Sequence, residues 1–427
     1  MDKPLRSVSH LRGEITVPGD KSISHRAMMI GSLAEGQTEI SGFLDAADPR
    51  STLECIRALG ISATLNGDVL RIEGRGLHGY RQPNRMLDAG NSGTTIRLLS
   101  GILAGQKFPT QITGDQYLVR RPMKRIIDPL TEMGAQIVGT DKFTAPLKIF
   151  PAERLHGITY ELPIPSAQVK SAVLFAGLFA EGRTTVEELQ GSRDHTERML
   201  GLTPVTSRDK TSVTVQGGTR IPAKQFIIAG DPSSAAFFVV AGLIAKNAEI
   251  IIRNVGVNPT RIGYLDILIS MGGNISLENQ RVIGGEPIAD IIVKASLLHS
   301  NLTLKGAIIP NIIDEIPILA VAGAFAEGFF EVRDAFELRN KECDRIGAVC
   351  ENLGLMGAEV EQFEDGFAFS SKKGLIPADF DSFGDHRIAM AFGVASVNLE
   401  GDSLIKDSKC VDISFPAFWD TLHMLAN

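Results

Sequence analysis

The sequence predicts an α/β protein made of six similar helix-and-strand units shared between two domains, with apolar helices inside and sheets outside. Three observations carry this expectation. At 427 residues the chain is too long for one ordinary core. An Ala-rich apolar helix closing near a Gly recurs at regular intervals. Each recurrence leads through a β-like run into a second helix and two further strand-like runs.

The recurring helix end reads GSLAEG from Gly31, GILAGQ from Gly101, GLFAEG from Gly177, GLIAKN from Gly242, GAFAEG from Gly323 and GVASVN from Gly393. The intervals are 70, 76, 65, 81 and 70 residues, a regularity that marks six supersecondary units. In the first unit Ile23, Ala27, Met28, Ile30 and Leu33 are apolar at helical spacing, with Ser22 read as the N-cap and Gly36 as the C-terminal stop. Residues 38–40, 250–252 and 329–332 are the strands that follow such helices. Second helices are expected to end at Leu59-Gly60, Met133-Gly134, Leu200-Gly201, Met271-Gly272 and Leu353-Gly354, with strands at 61–65, 135–138 and 358–360 after them. Segments such as 171–180 and 235–245 are apolar on every face, which predicts buried helices.

Composition narrows the function classes. A formal charge of −7 argues against a broad nucleic-acid or anionic-membrane surface, so a basic cluster here is local and aimed at a small anion. Cys55, Cys343, Cys350 and Cys410 lack CxxC or metal-ligand spacing, which fits a reducing cytoplasm. The opening residues lack an apolar signal core, and the longest apolar runs fall short of the ~20 residues of a membrane span. Four Tyr and one Trp are too few for a base-stacking or sugar-stacking platform.

Nine residues before each repeat Gly stand Ser22, Ser92, Gln168, Ser233, Asp314 and Gly384, so a polar segment opens every buried helix. Cations recur there: Lys21 and Arg26, Arg97, Lys170, Arg387. The GxxxxGK[ST] spacing of a P-loop is absent. Capping explains Ser92, Asp231 and Ser233, but helix dipoles with added Lys and Arg also suit phosphate and carboxylate. Parallel helices would gather these starts on one face of each domain, a grip for a doubly anionic ligand. Arg120-Arg121-Pro122 and Lys341-Glu342-Cys343-Asp344-Arg345 add charges before second helices. Asp314 and Glu342 are the proton-transfer candidates, with Lys21 and Gln168 able to polarise a hydroxyl. Eight His without HExxH or a nearby pair give His386 no metal-ligand pattern, so neither metal nor cofactor is expected.

PGDKSISHRA, GNSGTTIR, Arg121-Pro122, PSAQVKSA, RDHTE, GDPSSAAF, NPTR, IIDEIPILA, KECDR, DHRIAMAF and SFP resemble, in this order and over nearly the whole chain, the 3-phosphoshikimate 1-carboxyvinyltransferase family, the 5-enolpyruvylshikimate-3-phosphate synthases. The resemblance implies a two-domain inverted α/β barrel of six βαβαββ repeats, three per domain. It implies one domain at 20–229 on the shikimate 3-phosphate side, another at 1–19 plus 230–427, and crossovers near 18–20 and 230–231. Ligand binding would close the halves and exclude water.

The reaction so implied moves the enolpyruvyl group of phosphoenolpyruvate to the 5-hydroxyl of 3-phosphoshikimate through a tetrahedral intermediate, releasing phosphate. By motif position Ser22 and Arg26 would hold the shikimate carboxylate, Ser166 and Ala167 its phosphate, and Gln168, Asp314 and Lys341 its hydroxyls. Lys21 and Gln168 would also meet phosphoenolpyruvate, Arg345 and Arg387 its carboxylate, and Arg121 with the Gly93 backbone its phosphate. Asp314 is the expected base, with Glu342 and Lys21 the candidates for protonating the methylene carbon. A cytoplasmic monomer acting on these two small molecules, with no nucleic-acid or membrane partner, is the expectation.

Two positions depart from the family pattern: Ile413 stands where some members place Lys, leaving Lys409 as a neighbour, and Ala167 stands where others have a second Ser. GDK, SAQVK, RDHTE and NPTR resemble glyphosate-tolerant members, while Gly93 resembles sensitive ones; at least moderate inhibition is expected. The closest rival is UDP-N-acetylglucosamine enolpyruvyl transferase, whose first motif has Asn after the Lys and whose active loop carries a Cys; here Ser22 follows Lys21, and Arg26 supplies a cation for a carboxylate that a UDP-sugar lacks. A non-catalytic anion-binding module leaves Asp314, Glu342 and Lys341 without a purpose.

Overall fold

Six helices open at the polar segments and are buried over most of their length: Lys21–Leu33, Gly93–Ala104, Ala167–Gly177, Pro232–Ile244, Ile316–Phe325 and His386–Asn398. The computed structural model describes residues 1–207, 210–370 and 374–426. Small residues let these helices approach closely. A Cβ on Gly101 would fall 2.1 Å from the carbonyl oxygen of Ala172 on the neighbouring helix, so Gly is the side chain that fits there. Large ones fill the remaining core: Phe237 and Phe238 pack edge-on or tilted against Phe415 and Phe418, each burial contributing about 1.5–3 kcal/mol.

The helix starts are side-chain capped at Asp20, Ser92, Ser166, Asp231 and Asp385, whose oxygens accept from a backbone N–H two or three residues on. This corrects two expectations. Ser22 is not the cap of the first helix: Asp20 accepts from the N–H of Ile23 at 2.9 Å, and Ser22 already lies in the first turn. Ser233 likewise sits inside its helix, with Asp231 as the cap. Gly36 does not stop the first helix either, because Ala34 is already extended and Gly36 belongs to the strand Glu35–Ser41.

Each sheet follows one plan, clearest in the second unit. Leu87–Asp88 pairs in parallel with Thr110–Thr113 across the buried helix, and Leu147–Phe150 then pairs antiparallel with both Thr110–Thr113 and Gln136–Val138. The plan gives the βαβαββ order, helices inside and strands outside, that the repeats predict. Five sheets have four strands and one has three among the described residues. Second helices reach Leu59, Met133, Gly201 and Met271 as caps. In the fifth unit the end lies later than expected: Arg345–Leu355 runs through Gly354 to a cap at Met356, and Gly357 takes the left-handed φ of +92°. The following strand, Val360–Gln362, shifts accordingly.

Contacts divide the chain into one unit of Gly19–Ile228 with Ile283–Glu286, and another of Met1–Pro18, Ala229–Val282 and Pro287–Asn427. At each boundary the strand before the crossing stays behind. Leu11–Thr16 pairs in parallel with Ala248–Gly256, while Gln225–Ile227 pairs in parallel with Glu35–Ser41, so the two crossings exchange first strands. Gly19 is fitted to its place because a Cβ would sit 2.0 Å from the carbonyl oxygen of Gly42. The sixth unit borrows its outer strand from the start of the chain, Lys3–Arg6 lying antiparallel to Asp402–Lys406. No single helix among the described residues is long and apolar enough to cross a membrane.

Candidate active site

In the Gly19–Ile228 unit three of the capped helix starts carry the expected anion-binding groups. Their cross-links put the starts side by side: Arg26, on the first helix, donates its Nη2–H to Ser171 of the third at 2.9 Å, and Arg97 of the second donates to Gln168 of the third at 2.7 Å. Gln168 returns a bond to Thr94 at 3.0 Å. Three parallel dipoles therefore end together, which favours an anion.

Arg26 is almost fully buried, and its guanidinium is fixed by Thr196 Oγ1 at 2.7 Å, Ser171 Oγ and the Ser22 carbonyl at 3.0 Å. Burial brings its pKa down to about 10 against the upward pull of Glu197 and Asp20, so it stays cationic at neutral pH. A guanidinium has five N–H donors, so these three bonds leave capacity for a ligand. Lys21, half-buried, pairs with Asp48 at 3.2 Å. Arg121 donates to Asn91 at 2.7 Å, and Asn91 to Asp115 at 2.8 Å. A Cβ on Gly93 would meet Arg97 Nη1 at 2.6 Å and Arg121 Nη1 at 3.3 Å, so both guanidiniums lie against the bare backbone of the helix start. Ser166 caps the third helix through the N–H of Val169 at 3.4 Å, and Ala167 opens it with an N–H that has no acceptor inside the helix.

Lys170 does not join this group. It is buried and bound by Glu197 at 2.6 Å and Glu188 at 2.8 Å, an internal triad rather than a ligand cation. Burial raises the Glu197 pKa against the pull of Lys170. His25, also buried, accepts or donates at Thr52 Oγ1 over 2.7 Å, and burial, then the charges of Lys21 and Arg26, hold its pKa well below 6.5.

The other unit gathers the remaining candidates around Asp314. Arg345 Nη1 stands 3.4 Å from its carboxylate, Lys341 Nζ 3.6 Å and Arg387 Nη2 3.9 Å. Arg345 is buried and held by Asp385 at 2.7 Å and Glu342 at 2.6 Å; these carboxylates outweigh burial and raise its pKa, fixing it as a cation. Arg387 donates its Nη1–H to the backbone carbonyl of Asp314 at 3.0 Å. Asp385 also caps the sixth buried helix through the N–H of Arg387 at 2.8 Å. A carboxylate, an ammonium and two guanidiniums in this arrangement can hold an anionic donor and take a hydroxyl proton.

Lys21, Ser22, Arg26, Gly93, Arg121, Ser166, Ala167 and Gln168 thus belong to one unit, and Asp314, Lys341, Glu342, Arg345 and Arg387 to the other. Thr196, Ser171, Asp48 and Asn91 support them without having been singled out as site residues. RDHTE and PSAQVKSA carried the signal for Thr196 and Ser171, but only the fold places both beside Arg26. Ile413 closes the short 3-10 helix Ser408–Ile413, and Lys409 within it is exposed.

Comparison with known proteins accords with these features. Residues 5–422 match the family model described as EPSP synthase (3-phosphoshikimate 1-carboxyvinyltransferase). A 3-phosphoshikimate 1-carboxyvinyltransferase of Syntrophotalea carbinolica is 50% identical over 422 residues, 98% of this chain and 97% of the relative. That of Geobacter sulfurreducens is 49% identical over 418 residues, 97% of each chain. The solved EPSP synthase of Acinetobacter baumannii superposes with a TM-score of 0.88 at 42% identity, covering 99% of this chain and 98% of that one.

Proposed function

The chain belongs to the EPSP synthase (3-phosphoshikimate 1-carboxyvinyltransferase) family, and from that premise we propose that it transfers the enolpyruvyl group of phosphoenolpyruvate to the 5-hydroxyl of 3-phosphoshikimate, releasing phosphate. The observation that carries the residue assignment is the cage around Asp314, with Arg345, Lys341 and Arg387 at 3.4, 3.6 and 3.9 Å.

Asp314 accepts the hydroxyl proton as that oxygen attacks C2 of phosphoenolpyruvate, while Glu342 or Lys21 delivers a proton to the methylene carbon. The tetrahedral adduct then loses a methyl proton as phosphate departs, which restores the double bond. Arg345 and Arg387 clamp the donor carboxylate, and Arg121 with the Gly93 backbone takes its phosphate. Ser22 and Arg26 take the shikimate carboxylate, Ser166 and the Ala167 N–H its phosphate, and Gln168, Lys341 and Asp314 its hydroxyls. Lys21 serves both substrates and Gln168 also meets the donor.

Gly19–Ile228 is in this reading the 3-phosphoshikimate side. The four free cysteines support a reducing, cytoplasmic setting, and we read the enzyme as a monomer. A UDP-sugar acceptor is not favoured, since the relatives carry the shikimate name. Phosphate release from phosphoenolpyruvate, followed with 3-phosphoshikimate or with UDP-N-acetylglucosamine, tests the assignment. Release is expected with the first acceptor alone, and none with the first overturns it.

A further inference from the structure

Two motifs stand outside the roles assigned above, Gly230-Asp231-Pro232-Ser233 and Asn258-Pro259-Thr260-Arg261. We propose that Glu315, oriented by Ser233 and Arg261, is a positioning residue that fixes the Arg387 guanidinium for the carboxylate of phosphoenolpyruvate. The inference rests on the reading of Arg387 as a donor-carboxylate ligand.

Glu315 occupies the N-cap position of Ile316–Phe325, yet among the six buried helices its side chain is the one that makes no cap bond. Its carboxylate is turned to other partners. It accepts the hydroxyl proton of Ser233 through Oε1, and the same oxygen lies 3.7 Å from Arg387 Nη1. Arg261, 2% exposed, donates Nη2–H bonds to Ser233 Oγ at 2.9 Å and to Asp231 Oδ1 at 3.0 Å.

The direction of this chain is fixed by chemistry. A guanidinium only donates, so Ser233 must accept from Arg261, and the single hydroxyl proton of Ser233 is left for Glu315. Asp231 anchors the far end, since it caps the Pro232–Ile244 helix through the N–H of Ser233 at 2.8 Å. Glu315 therefore has one orientation and presents a fixed negative charge to Arg387. The Arg387 head rests on two consecutive residues, the Asp314 carbonyl at 3.0 Å and the Glu315 carboxylate. Holding a long side chain in place before its ligand arrives lowers the ordering cost of binding.

Steady-state kinetics of Glu315→Gln, Ser233→Ala and Arg387→Lys, with thermal melts of each, test this. Glu315→Gln keeps the shape and removes the charge. It is expected to raise KM for phosphoenolpyruvate about tenfold, the size of one bond to a charged group, with KM for 3-phosphoshikimate within about twofold. Ser233→Ala leaves the charge but frees its orientation, so a smaller rise of about threefold in the same KM is expected, and it reports on the relay if Glu315→Gln does not fold. A loss of melting temperature with both phosphoenolpyruvate KM values unchanged makes the network merely structural and overturns the proposal. If Arg387→Lys raises that KM while Glu315→Gln and Ser233→Ala do not, the positioning role alone falls. If Arg387→Lys does not raise it either, the carboxylate role of Arg387 falls as well.

Discussion

Arg345 donates its Nε–H to Asp385 at 2.7 Å with both side chains shut off from solvent, and Asp385 also caps the helix that carries Arg387. One carboxylate thus holds the side chain of one arginine and the backbone of the other. The short sequence Asp385-His386-Arg387 is legible as a helix start, but its grip on Arg345 depends on a contact 40 residues away in the chain.

Asp385→Ala should remove that compensation and leave Arg345 buried beside fewer negative charges. Breaking a buried ion pair in this way costs about 3–5 kcal/mol, so the urea midpoint should fall sharply and KM for phosphoenolpyruvate should rise. A variant as stable as the parent contradicts the account of Arg345.

Gly93→Ala places a methyl 2.6 Å from Arg97 Nη1 and 3.3 Å from Arg121 Nη1. These are ends of flexible side chains, so the helix start should survive with stability changed by less than about 1 kcal/mol. The guanidiniums must shift, and the phosphate pocket shrinks. Glyphosate, longer than phosphoenolpyruvate, should lose at least about tenfold in inhibition, equivalent to about 1.4 kcal/mol. Equal inhibition of parent and variant contradicts the steric argument.

His25 gives stability a pH dependence. Burial, Lys21 and Arg26 depress its folded pKa well below 6.5, so below pH 6.5 the unfolded chain binds a proton that the folded one refuses. Stability therefore falls as pH drops from 6.5 toward the folded value, by about 1.4 kcal/mol per pH unit. Urea unfolding of the parent and of His25→Asn between pH 7.5 and 5 should show this extra slope in the parent only. Parallel curves contradict it.

Much of the architecture was legible because it repeats. Gly31, Gly101, Gly177, Gly242, Gly323 and Gly393 set the six units, and nine residues earlier the polar helix starts follow. Local competition between neighbours hid the rest. Asp20 displaced Ser22 as the cap because its carboxylate reaches the N–H of Ile23, and Gly357 rather than Gly354 follows the end of the second helix of the fifth unit because, of the two, only Gly357 adopts the left-handed backbone. The exchanged strands Leu11–Thr16 and Gln225–Ile227, and the borrowed strand Lys3–Arg6, pair over distances that no local pattern records. Lys170 read as a ligand cation since its two partners, Glu188 and Glu197, sit on other elements.

The most direct test of the central claim is single-turnover phosphate release from phosphoenolpyruvate and 3-phosphoshikimate by the parent and by Asp314→Ala, with binding of both substrates measured on the same preparations. The carboxylate caged by Lys341, Arg345 and Arg387 is taken here as the base, a role worth roughly 10²–10⁴-fold in rate. Asp314→Ala should still bind both substrates and release phosphate slower by that order. Undiminished release would contradict the account.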